Sequence, residues 1–161
     1  MGFLLLILTI LLIDLGIKSV IEEGDPARFP RELEGTGGLV MLHKKHNDGL
    51  PMGAFRDKPE FVKNVPLMVL SAVAGIFFWL YPKKGHPAGK LGTSLVLGGG
   101  LSNVYDRVKR GFVVDYFSIQ YRKLKKVVFN VGDICIFAGA LILLAAEIMG
   151  NSSGRSARSP R

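Results

Sequence analysis

Apolar residues gather into four long runs, at residues 3–21, 65–81, 91–104 (a span reaching about 107 with its flank) and 131–149, instead of recurring at the period of a half-buried surface helix. A helix that crosses a bilayer needs roughly 17–25 mostly apolar residues, and each run approaches that length once its flanks are counted. The third is the shortest and the richest in glycine. The pattern predicts an integral membrane α-helical protein with four transmembrane helices. Residues 3–21 read as a retained helix and not as a secretory leader: Asp14 and Lys18 interrupt them, no basic segment precedes them, and Glu22-Glu23-Gly24-Asp25 is no small-residue cleavage site.

The segments between the runs differ in kind. Residues 22–63 are polar and rich in Gly and Pro, with short apolar pieces such as 38–42 that can pair as strands, so a small extramembrane, β-containing subdomain is expected there. Residues 82–90 form a short basic turn. In the third connection, residues 113–121 have the β-branched and aromatic content of a strand or an interfacial segment. The Ser/Arg-rich residues 151–161 are expected to be a disordered basic tail behind a single domain at 1–150.

Charge narrows the class of partner. The 161 residues carry a net charge of +8, which in a soluble protein would suggest nucleic acid. In a chain that is 48% hydrophobic, anionic lipid headgroups are the simpler partner, and no nucleic acid is expected. Basic residues crowd the second and third connections and the tail alike, so the positive-inside rule leaves the orientation open. Cys135 is the one cysteine and excludes an intrachain disulfide; two lysines separate His43 from His46; and no Lys-Ser or Lys-Thr follows Gly98-Gly99-Gly100. No metal, nucleotide or other cofactor is expected. Ser94, Gly98 and Ser102 recur at i,i+4, the small-residue face on which membrane helices approach closely.

The polar residues inside or beside the apolar runs carry the chemistry. With alternating spans, the first and third connections share one membrane face, and the conspicuous polar groups all fall toward it: Asp14 and Lys18 late in the first run, Asn103 and Arg107 late in the third, Asp115 just beyond, and Asn130 and Asp133 at the start of the fourth. Asp14 and Lys18 are i,i+4 neighbours able to pair, with Lys18 placed to snorkel outward. Ionisable groups at membrane depth are costly and normally face a shared polar pocket. Asn130-Val-Gly-Asp133 also matches a capping box, a purely structural role, and Asp106 with Arg110 is most simply a surface ion pair with no catalytic part.

Two carboxylates held close together share a proton, which leaves one as general base and the other as general acid. Such a pair can activate water against a peptide carbonyl with neither metal nor covalent intermediate. Asn103, Arg107 and Asn130 are suited to orienting the carboxylates or a substrate carbonyl. Two other classes stay open from the residues alone: a small proton-coupled carrier, for which inverted repeats would speak and none is visible, and a noncatalytic lipoprotein-binding relative.

"GGGLSNVYDRVKRGFVVDYF" followed by "FNVGD" closely resembles signal peptidase II, the lipoprotein signal peptidase of bacteria. The resemblance extends over most of the chain and includes the Asp14/Lys18 pair, here a structural polar pair, and an Asn-containing first connection. It implies that Asp115 and Asp133 are a catalytic aspartate dyad, supported by Asn103, Arg107, Asn130 and, from the first connection, Asn47. The implied substrate is a diacylglyceryl-modified prolipoprotein, cut just before the lipidated cysteine. The implied enzyme is a monomer among membrane lipids, blocked by globomycin-type inhibitors. It would lie in the bacterial cytoplasmic membrane with both termini inside and with the subdomain and site near the outer leaflet. The chain departs from the family in two places: Leu50-Pro51-Met52 separate Asn47-Asp48-Gly49 from Gly53-Ala54-Phe55, and Gly132 stands where alanine is usual, as in a divergent branch.

Overall fold

The computed structural model describes residues 1–156. Four helices, α1 (Gly2–Glu23), α2 (Pro59–Leu80), α3 (Pro87–Lys109) and α4 (Val131–Ser156), carry a small sheet of β1 (Arg31–Glu32), β2 (Val40–Asn47) and β3 (Val113–Ile119). The basic tail expected from residue 151 starts inside α4, and its residues 157–161 lie outside the described residues.

By length and composition, α1, α2 and residues Val131–Met149 of α4 are apolar enough to cross a membrane. The third expected span falls short of that measure, and its position explains why. α3 packs against α1, α2 and α4 together, so protein covers much of it and small residues serve it better than greasy ones. Gly92, Thr93, Ser94, Gly98, Gly99 and Ser102 are among its buried residues.

Those small residues set how closely the helices approach. A Cβ added at Gly99 would lie 2.2 Å from the carbonyl oxygen of Gly132, and one at Gly139 would lie 2.6 Å from that of Gly92. α3 and α4 therefore meet backbone to backbone along a glycine seam. On another face of α3, a Cβ at Gly98 would lie 2.8 Å from the Ile10 side chain. Gly98 and Ser102 of the small-residue face thus meet α1, at Ile10 and at Asp14 and Lys18.

The sheet joins two distant stretches of sequence at one end of the bundle. It is antiparallel with order β1-β2-β3, so a strand of the third connection closes onto the hairpin of the first. Alternation along β3 sends Val114 and Tyr116 into a cluster with Ile21 of α1, and leaves Asp115 on the opposite face. Gly35, Gly37 and Gly38, between β1 and β2, all have positive φ and so form the turn that returns the chain.

Candidate active site

The site is assembled where β3, the C-terminal half of α3 and the first turn of α4 converge. α4 opens with a reciprocal capping box: the Asp133 N–H donates to Asn130 Oδ1 at 2.8 Å, and the Asn130 N–H donates to Asp133 Oδ2 at 3.3 Å. The capping geometry read from the sequence is therefore present, and it also orients the two residues for something else. With its oxygen committed to the Asp133 N–H, the Asn130 amide must turn its nitrogen outward. Asn130 Nδ2 donates to Asp115 Oδ1 at 2.9 Å. One buried asparagine thus touches both aspartates.

Each aspartate has a second amide partner. Asn47 Nδ2 donates to Asp115 Oδ2 at 3.1 Å, and Asn103 Nδ2 donates to Asp133 Oδ1 at 2.8 Å. Asn103 is also held in a single orientation, because its Oδ1 accepts from Lys18 Nζ at 2.7 Å and an ammonium group can only donate. Burial, reinforced by the negative charge of Asp133, raises the Asp115 carboxyl to about 6 against the donors that hold it down. A carboxyl in that range holds or gives up a proton near neutral pH.

Arg107 closes the site toward the first connection. Its Nη2 donates to the Gly49 carbonyl at 3.0 Å and its Nη1 to the Asn103 carbonyl at 3.3 Å. Its buried Nε–H has no partner among the described residues. The inserted Leu50-Pro51-Met52 forms a tight turn, with Leu50 N donating to the Ala54 carbonyl at 2.8 Å, so the extra residues leave Asn47 at the site.

Behind the two aspartates lies a buried charge network that the sequence showed only in part. Lys18 is fully buried and does not snorkel outward: Asp14 at 2.8 Å, Asp106 at 3.4 Å and Ser102 Oγ at 3.0 Å surround it with acceptors, which removes any gain from reaching for water. Asp106 and Arg110 do pair, at 2.7 Å, but the pair is no surface feature, since Asp106 is fully buried and also accepts the Val114 N–H at 3.1 Å. Two anions and two cations then balance. Spacing predicted the pair and could not show its burial. Tyr116 was missed altogether, although strand alternation places its hydroxyl on the buried face, where it needs a partner.

The arrangement brings two carboxyl groups near enough for the charge of Asp133 to act on Asp115, with Asn130 in contact with both residues. A family model described as Signal peptidase (SPase) II matches residues 6–149. A lipoprotein signal peptidase of Symbiobacterium thermophilum is 33% identical over 124 residues, covering 76% of this chain and 80% of that one. One from Moorella thermoacetica is 33% identical over 144 residues, covering 89% and 90%. A solved structure described as a bacterial membrane enzyme superposes with a TM-score of 0.80 over 99% of this chain and 94% of that chain; at 19% identity, this likeness speaks to fold alone. With its apolar helices and small antiparallel sheet, the chain is a membrane peptidase that belongs to the signal peptidase II family.

Proposed function

We propose that Asp115 and Asp133 are the catalytic dyad of an aspartic endopeptidase that removes signal peptides from diacylglyceryl-modified prolipoproteins. The observation that carries this is the shared contact of both carboxylates with Asn130, whose side-chain amide donates to Asp115 and whose backbone N–H donates to Asp133, at one end of the bundle. The ionised member takes a proton from the bound water as its oxygen attacks the scissile carbonyl, and the protonated member gives its proton to the carbonyl oxygen. Collapse of the resulting diol returns a proton to the leaving amine and breaks the C–N bond. Asn47, Asn103 and Asn130 hold the carboxylates in register, and the buried Nε–H of Arg107, without a partner among the described residues, is a donor left over for a substrate carbonyl that enters the site.

In this reading all four helices cross the bacterial cytoplasmic membrane and residues 1–150 form a single domain. Both termini lie inside, and the sheet and dyad sit at the outer leaflet. Membrane lipids solvate the apolar outer faces of α1, α2 and α4, and the enzyme works as a monomer open to globomycin-type inhibitors. The test compares cleavage of a diacylglyceryl-modified prolipoprotein with that of its unlipidated form. Lipid-dependent, globomycin-sensitive cleavage is expected; equal cleavage of both forms would refute the substrate class.

A further inference from the structure

We infer that Tyr116 is a positioning residue whose hydroxyl ties the intramembrane Asp14 to the start of α4 and thereby fixes Asp133 relative to Asp115. The inference rests on the dyad reading above. The hydroxyl donates to Asp14 Oδ1 at 2.9 Å and accepts the Val131 N–H at 2.9 Å, so one oxygen joins α1, β3 and α4. Tyr116 follows Asp115 directly, and Val131 lies two residues before Asp133. The hydroxyl therefore holds a close chain neighbour of each aspartate.

On the carboxylate side, Asn130 contacts both aspartates and Asn103 Nδ2 holds Asp133. The Tyr116 hydroxyl supplies a tie on the opposite face of β3, and the backbone bond from Tyr116 N to the Phe129 carbonyl at 2.9 Å sets the chain between them. The Val131 N–H is one of the unpaired donors every helix start presents, and here a side chain from another element takes it. Asp14 is itself held, with Oδ2 accepting from Ser102 Oγ at 2.6 Å and pairing with Lys18, so the anchor does not yield. Burial, together with the nearby Asp14 charge, pushes the Tyr116 phenol up, which keeps it a neutral donor.

Packing alone would be met by phenylalanine, so Tyr116→Phe deletes the tie and keeps every carbon. The experiment measures kcat and KM of the full chain in detergent on a lipidated prolipoprotein for wild type, Tyr116→Phe, Asp115→Asn and Asp133→Asn. Phe77→Leu, in the apolar cluster of α2, serves as a destabilised control outside the site. Amide hydrogen exchange of residues 130–134 is read in parallel. Misplacement of about 1 Å can cost on the order of 100-fold, so kcat of Tyr116→Phe should fall about 10- to 100-fold with KM within about twofold. Exchange at residues 130–134 should rise, while Phe77→Leu keeps the wild-type kcat. Wild-type kcat and exchange in Tyr116→Phe would overturn the inference, as would an equal kcat loss in Phe77→Leu. Full activity in either aspartate variant would instead sink the dyad reading on which it rests.

Discussion

At the scale of single residues, two asparagine amides held by donors that cannot accept explain how the carboxylates are aimed. Lys18 fixes Asn103 and the Asp133 N–H fixes Asn130, and each amide nitrogen then faces an aspartate. The raised Asp115 carboxyl has a consequence for stability. A group whose folded value lies above its unfolded one adds stability at low pH and loses it as pH rises through the folded value, here about 6. Asp115→Asn should therefore unfold at a higher temperature than wild type near pH 8, by on the order of 1–2 kcal/mol, with that gain vanishing below about pH 4. Thermal melts at both pH values check it. Lys18→Met should do the reverse and cost about 3–5 kcal/mol at neutral pH, because it leaves buried Asp14 and Asp106 facing each other without their shared cation. Asp115, Asp133, Asn103 and Asn130 were legible because their spacing is itself the pattern. The burial of Asp106 was not, since an i,i+4 spacing carries no information about depth, and the partners of Tyr116 were not, since they lie on α1 and α4, far away in the sequence.

At the scale of elements, α3 shows why hydropathy undercounts an interior helix. Its glycines and serines lower its apolarity while allowing three neighbours to close on it, and the same residues that weaken the membrane signal build the bundle. Gly99→Ala places a methyl group against the Gly132 backbone, where no flexible side chain can yield, so it should cost about 1–3 kcal/mol or more and depress activity by shifting Asp133. Thermal unfolding and turnover of that variant measure both effects. Gly132, which departs from the alanine usual in the family, is seated tightly: a Cβ there would lie 2.9 Å from Asp14 Oδ2 and 2.9 Å from the Gly99 carbonyl. The pairing of β2 with β3 could not be read from the chain, because it joins segments separated by two helices and a local pattern does not encode such a partner.

At the scale of the molecule, the bundle has a chemical end and a plain end. The sheet and the two aspartates lie at one, while at the other the amino terminus donates to Tyr81 Oη at 3.0 Å beside the basic turn. The proposed orientation predicts that, in a Cys135→Ser background, an impermeant thiol reagent added to intact spheroplasts labels Lys123→Cys and spares Lys84→Cys until the membrane is opened. Labelling of Lys84→Cys alone would invert the topology. The central claim is that the two aspartates act as one catalytic unit, and the most direct measurement of it is single-turnover cleavage of a lipidated prolipoprotein by folded Asp115→Asn and Asp133→Asn. The account predicts that each falls about 100- to 10,000-fold below wild type and that the double variant falls little further. Turnover within about tenfold of wild type in either folded variant would contradict it.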